Sequence, residues 1–145
     1  MGHDTLNITI AKATNQDIDL LFSINQQLII DEDYDRPLTD EKLNERWKQF
    51  FTEIYIDFFI KVENEIVGYS VIHNHQTPKY IRHFYVQKEY RRKGIGKKAF
   101  YLILNELDVK EIDVDVMYWN QSGLSFWKSL GFHERYIGLD LKTNL

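Results

Sequence analysis

An α/β fold built on one mixed β-sheet with flanking helices is the architecture this sequence predicts, and three observations carry the prediction. Short runs with two-residue apolar alternation recur between segments with helical spacing. One of those helical segments, residues 94–107, stands between two strand-like runs, as in a right-handed parallel crossover. Apolar residues make up 43% of the 145, with only 2 Pro and 7 Gly, which suits one packed domain over residues 1–145 rather than linkers or disorder.

Leu6, Ile8 and Ile10 alternate as a first strand. Thr14 to Asp17 reads as a capping box, and Ile18, Leu21, Phe22, Leu28 and Ile29 then share one helical face. Pro37 and the acidic run from Asp31 to Asp35 predict a loop over 31–38. Thr39 is placed to cap a second helix, with Leu43, Trp47, Phe50, Phe51 and Ile54 at helical spacing. Residues 55–63 and 65–73 form an antiparallel hairpin about Asn64, with Gly68 at a bulge or a close approach. Residues 79–87 give a further strand, followed by the basic turn RRKGIGKK and a helix through Ala99, Leu102, Ile103 and Leu107. Ile112, Val114 and Val116 alternate as the next strand, Ser122–Leu130 is a short helix stopped by Gly131, and 132–142 forms a last strand.

Composition excludes several functions. Without cysteine there is no disulfide, thiolate zinc site or thiol nucleophile. A net charge of -4 argues against a general nucleic-acid binder. The sequence shows no signal peptide and no apolar run of membrane-spanning length, which predicts a cytoplasmic protein with no membrane partner.

The chemistry concentrates at Gly94-Ile95-Gly96, where a turn hands over to a helix. Backbone N–H groups at a helix N-terminus receive anions, and glycine lets a ligand approach without a Cβ in the way. Arg91, Arg92, Lys93, Lys97 and Lys98 surround this point, and such positive charge opposes the helix dipole unless an anion offsets it. A phosphate or pyrophosphate suits the place; with no ligand, the same residues read as a solvated basic turn. A nucleotide P-loop does not fit, because Arg91 stands at its first glycine and Lys98 at its hydroxyl position. Gly94, Gly96 and Ala99 match a dinucleotide fingerprint only formally, since the polar stretch 87–93 separates them from the strand.

The segment IRHFYVQKEYRRKGIGKKA, residues 81–99, resembles the acetyl-CoA signature of the GCN5-related N-acetyltransferases: a hydrophobic strand, a polar turn, then Q/R-x-x-G-x-G/A opening a helix. Asn120, Gly123 at the usual small-residue position and FWKSLGF at 126–132 extend the resemblance, as does IVGY at 66–69. The resemblance implies an acyl-CoA N-acyltransferase fold and transfer of acetyl from acetyl-CoA to an amine. It places the pyrophosphate on the backbone of residues 91–97: Arg91, Arg92, Lys93, Gly94, Ile95, Gly96 and Lys97. It pairs the pantetheine arm with the backbone of Phe84, Tyr85 and Val86, in a gap where two parallel strands splay. Asn120 would touch the cofactor or support that splay. Homodimers are common in the family.

Direct transfer to an amine fits the absence of cysteine. A lysine-like amine is about 3.4 units too protonated at pH 7, a cost of about 4.6 kcal/mol, against about 2 kcal/mol for a thiolate leaving group. His83 is therefore the candidate base. Trp127 stands where many relatives carry a tyrosine acid; indole N–H donates a hydrogen bond but is no useful acid, so Trp127 either orients the sulfur or packs. The acid then falls to Tyr118, Tyr136 or water. Glu32, Asp33 and Tyr34, in the loop that borders the acceptor in this family, would attract a cationic amine. No residue pattern suggests a metal. A non-catalytic acyl-CoA-binding module of the same fold is the competing expectation.

Overall fold

The structure is a computed structural model that describes residues 6–32 and 40–144. The chain divides into two compact units, Met1–Asp115 and Val116–Leu145.

The first unit is a five-stranded sheet in sequential order, β1 (Ile8–Lys12), β2 (Tyr55–Val62), β3 (Glu65–His73), β4 (Lys79–Val86) and β5 (Ile112–Val114). The first three pairings are antiparallel and β4–β5 is parallel, as the crossover helix α3 (Ile95–Leu107) requires.

The expected capping box forms. Asp17 Oδ2 accepts Thr14 N–H at 2.8 Å, and a 3-10 turn over Asn15–Asp17 opens α1 (Ile18–Glu32). That helix runs through Asp31 and Glu32, two residues into the stretch expected to be loop; the rest of that loop, and the expected cap Thr39, lie outside the described residues. The next helix, α2 (Asp40–Gln49), stops before Ile54. Phe51 and Thr52 bond back to Lys48 and Gln49, tight three-residue spacings that end it, and the Thr52 hydroxyl caps Gln49 O at 2.8 Å.

The β2–β3 hairpin turns on Glu63 and Asn64, both with positive φ (51° and 69°), the backbone of a two-residue primed turn. Its ladder shifts register between Ile60 and Lys61. Gly68 faces Val86 there, and a Cβ on it would meet the Tyr85 carbonyl, so the glycine is required by close approach.

Strand alternation splits the core into two layers. Leu21 and Ile24 of α1, Trp47 of α2 and Phe50 just after α2 pack on Phe59, Tyr69, Val71 and Tyr85. On the other face, Ile95 and Ala99 of α3 pack on Ile60, Val62, Val67 and Val86. Each buried large apolar side chain contributes about 1.5–3 kcal/mol, so both layers stabilise the sheet that holds the site.

The second unit holds α4 (Gln121–Ser129), stopped at Gly131 with φ 102°. Two strand expectations fail near it. The strand at 112–116 ends at Val114, and 132–142 forms no strand. Alternation alone does not make a strand; it needs a ladder partner, and Ile137, Leu139 and Leu141 remain 87%, 93% and 86% exposed.

Candidate functional site

The parallel ladder between β4 and β5 is short. It pairs Lys79 with Ile112, Tyr80 with Asp113 and Ile81 with Val114, and then stops, while β4 continues from Arg82 to Val86. Tyr80 ties the last rungs together by donating to Asp115 Oδ2 at 3.1 Å; burial and that carboxylate push the phenol up to about 12.

Beyond this point the β3–β4 register dictates which way the main chain of β4 looks. Gln87 N–H donates to Val67 O, and Gly68 lies opposite Val86. In an antiparallel ladder this makes 86/68 a non-hydrogen-bonded pair, so the amides of Phe84 and Val86 face the β5 side. Tyr85, of the three residues the sequence assigned to pantetheine, has its main chain directed to Tyr69 on β3. An extended ligand arm beside β4 would thus meet Phe84 and Val86.

The turn after β4 is shaped by its own side chains. Arg91 Nε donates to Val86 O at 2.8 Å, and its guanidinium lies over the Tyr85 ring at 5.3 Å. Lys93 similarly covers Tyr90 at 5.9 Å. Arg91 therefore fastens the turn to the end of β4. Arg92 and Gly94 take positive φ, 63° and 77°, and Gly94 is the N-cap of α3. Its φ, not crowding, calls for glycine, since a Cβ there would meet nothing within 4 Å. Lys98 N–H returns to Gly94 O, which leaves Ile95, Gly96 and Lys97 at the three positions whose N–H groups a helix start directs outward. These donors, the helix dipole and the exposed Arg92, Lys93, Lys97 and Lys98 give this helix start the features that suit an anion.

His83 is half-buried on the opposite layer, in an aromatic setting. Its ring meets Trp47 at 5.8 Å, Phe50 at 5.3 Å and Tyr69 at 5.8 Å. Nδ1 lies 2.9 Å from Tyr69 Oη, which accepts from Asn25 Nδ2 at 2.9 Å. Burial, with Arg82 and Arg46 opposing a further positive charge, lowers the imidazole to about 3. His83 is therefore neutral throughout the physiological range.

Asp57 shares this face. It pairs with Val71, which in turn pairs with His83, so the three form one row across the sheet. Asp57 is 5% exposed, its Oδ1 has no hydrogen-bond partner, and burial raises it to about 7. The sequence reading missed Asn25, Tyr69 and Asp57. The available signal was an acid inside the apolar strand YIDFFI, at the same parity as Tyr55 and Phe59.

A cleft of about 390 Å³ opens beside Gln27 of α1 and Gln87, Lys88 and Glu89 after β4. Of the expected acceptor residues, Glu32 closes α1, while Asp33 and Tyr34 lie outside the described residues.

Asn120, Trp127, Tyr118 and Tyr136 all belong to the second unit. Asn120 caps α4, its Oδ1 accepting Gly123 N–H at 3.0 Å, and a Cβ on Gly123 would strike the Asn120 side chain at 2.5 Å. Asn120→Ala is expected to weaken α4 by about 1 kcal/mol, read as faster hydrogen exchange of its amides. Unchanged protection would remove the capping role. Trp127 is 7% exposed, packed edge-on against Phe126 and Phe132 at 4.9 and 5.2 Å. Tyr118 and Tyr136 are exposed.

No helix among the described residues is long and apolar enough to cross a membrane. A family model described as "Acetyltransferase (GNAT) family" matches residues 21–132. No curated protein matches the sequence. Among solved structures, the chain is similar to a "possible acetyltransferase from Clostridium difficile 630" (TM-score 0.75, 21% identity, covering 95% of this chain and 98% of that one). It is similar also to a predicted acetyltransferase with acetyl-CoA from Clostridium acetobutylicum (TM-score 0.74, 21% identity, 94% and 96% covered). A third is AAC(6')-Iy in complex with the bisubstrate analog CoA-S-monomethyl-acetylneamine (TM-score 0.74, 12% identity, 96% and 99% covered).

Proposed function

Because this chain belongs to the acetyltransferase (GNAT) family and takes acetyl-CoA as its co-substrate, we propose that it moves the acetyl group directly onto a primary amine of a small cationic acceptor or a peptide. The observation that carries this reading is the continuation of β4 past the end of its ladder with β5, directed at the helix start of α3. A ligand with a phosphate end and an amide-bearing arm fits that arrangement: pyrophosphate at the amides of 95–97, arm along Phe84 and Val86. The thioester then lies toward Arg82 and His83.

The amine nitrogen attacks the thioester carbon, the N–C bond forms and the C–S bond breaks, with the electron pair leaving on sulfur. His83 is the side chain we assign to the reacting end, and Tyr118, Tyr136 or water to protonation of the leaving thiolate. Glu32, Asp33 and Tyr34 are assigned to the acceptor's cationic groups. Support for a cationic acceptor comes from proteins of this fold described with aminoglycoside ligands, the AAC(6')-Iy complex and one with sisomicin.

Calorimetry with acetyl-CoA, followed by assay of thiol release with a panel of amines, tests the reading. Micromolar binding and amine-dependent release are expected. A folded protein that ignores acetyl-CoA would sink it. The pH dependence is also specific. With His83 neutral over the whole working range, kcat/KM for the amine should rise about tenfold per pH unit from pH 6 toward the amine's own pKa. A bend at about 6.5 would show an imidazole of ordinary basicity in control instead.

A further inference from the structure

Asn25, Tyr69 and His83 lie on α1, β3 and β4, and their polar atoms are linked in sequence through the Tyr69 hydroxyl. An amide nitrogen can only donate, so Asn25 Nδ2 gives a proton to Tyr69 Oη at 2.9 Å. The same oxygen lies 2.9 Å from Nδ1 of His83. Having received Asn25, the phenol has its own proton to place, and Nδ1 is an acceptor at hydrogen-bond distance. We propose that Asn25 and Tyr69 are positioning residues that fix His83 as the neutral imidazole protonated at Nε2, so that it meets the reacting groups as an N–H donor and not as a base. The use made of that N–H rests on the acetyl transfer proposed above; the tautomer itself does not.

Packing keeps the line in place. Asn25 is 3% and Tyr69 0% exposed, so neither exchanges its partner for bulk water at little cost. Trp47 and Phe50 stand edge-on to the imidazole, at 84° and 76°, and restrict its rotation. Charge acts the same way. Arg82 on β4 and Arg46 on α2 disfavour the imidazolium; the buried Asp57 of β2, across Val71 in the same row, acts in the opposite sense only when ionised. A donor on Nδ1 adds to this, because protonating that nitrogen requires the phenol to turn away. Asn25 strengthens the phenol as a donor by polarising its oxygen.

The chemistry such a group suits is stabilisation of oxygen. As the amine adds, negative charge gathers on the thioester carbonyl oxygen, and a fixed, neutral N–H stabilises it where a lone pair would repel it. The amine's proton then leaves to water, and the thiolate takes one from water, so no net proton remains on His83.

The test is nitrogen-resolved NMR of histidine-labelled protein, with His83→Gln used to assign the His83 signals. At pH 7 the wild type is expected to show a protonated Nε2 and a pyridine-like Nδ1, unchanged on titration to pH 5. In Tyr69→Phe, checked for native circular dichroism, a mixture of tautomers and a titration midpoint higher by a unit or more are expected. The same variant should lower kcat about tenfold with KM for acetyl-CoA unchanged. A wild-type spectrum with Nδ1 protonated overturns the proposal, whether or not the variants fold. So does a Tyr69→Phe spectrum identical to wild type. Activity of His83→Ala separates the two readings: full acetyl transfer by this variant, with the wild-type spectrum showing the expected tautomer, removes His83 from the reaction and leaves the lock standing.

Discussion

Gly96→Glu is expected to weaken acetyl-CoA binding by about 100-fold or more while leaving the protein folded. The two halves of this expectation come from one feature, the first turn of α3, where Gly96 follows Ile95 directly after the N-cap Gly94. A carboxylate in the first turn of a helix is favourable by about 0.3–1 kcal/mol, because it meets the positive end of the dipole. Here it would also sit among Arg92, Lys93, Lys97 and Lys98, which now crowd the same end without a side-chain cap. The variant should therefore melt at or slightly above the wild-type temperature. For the ligand, the same carboxylate is a rival: it occupies the place of the pyrophosphate, repels it and engages its cations. Losing about 2.7 kcal/mol, two charge-assisted hydrogen bonds or fewer, already gives 100-fold. Gly96→Ala is the control, since a methyl group adds no charge. Calorimetric titration of the three proteins decides the matter. Equal affinity in all three would mean that the pyrophosphate binds elsewhere.

How much of this site could be read beforehand depends on how local each cause is. The capping box at Thr14 and Asp17, the hairpin about Asn64 and the handover from turn to helix at Gly94 each need only a few adjacent residues, and each formed as expected. The crossover of β4, α3 and β5 was legible because a parallel pair needs a connecting helix. Other features depend on partners remote in the chain. The segment 132–142 alternates like a strand, yet alternation records a preference for a ladder and not its presence. Ile54 has helical spacing with Trp47 and Phe50, but the backbone turns at Thr52 before reaching it.

The side chains show the same division. His83 was visible as a titratable group next to the signature, while its neighbours were not. Tyr69 is 14 residues away and Asn25 is 44 from Tyr69, so the line they form exists only after the sheet and α1 have met. Arg91 illustrates a motif residue whose side-chain bond was not legible in the motif. Its backbone was expected at the pyrophosphate, and its side chain has a part of its own, the Nε donating to Val86 O at the end of β4. The exposed cations beside it retain the charge that the expectation needed.

Asp57→Asn is expected to make the stability of the protein rise steeply with pH where the wild type is nearly flat. In the native state the Asp57 carboxyl titrates at about 7, raised by burial from a reference of 3.8. Between about pH 4 and 7 the native protein therefore holds a proton that the unfolded chain has lost, and stability falls as pH rises through that window. His83 works in the opposite sense. Its imidazole is lowered from 6.5 to about 3, so between pH 3 and 6.5 the unfolded chain holds the extra proton and stability rises with pH. The windows overlap from about pH 4 to 6.5, and there the two slopes oppose each other.

Wild type should thus show a shallow profile in that range. Asp57→Asn removes the falling limb and leaves the rising one, a slope of up to about 1.4 kcal/mol per pH unit. Near pH 4 the two proteins should be similar, because the wild-type carboxyl is then neutral and nearly the shape of the amide. At pH 8 the variant should be more stable by about 4 kcal/mol, the ionisation penalty of a carboxyl raised from 3.8 to about 7. Urea melts at pH 4, 5, 6, 7 and 8 measure this directly. Parallel profiles for the two proteins would mean that Asp57 ionises in the fold as it does in water, and that the unpartnered Oδ1 is solvated. A divergence that opens between pH 4 and 7 would show that the sheet carries a buried acid at a standing cost. Of the groups beside it, His83 would then be the one whose opposite shift keeps that cost out of view in the wild type.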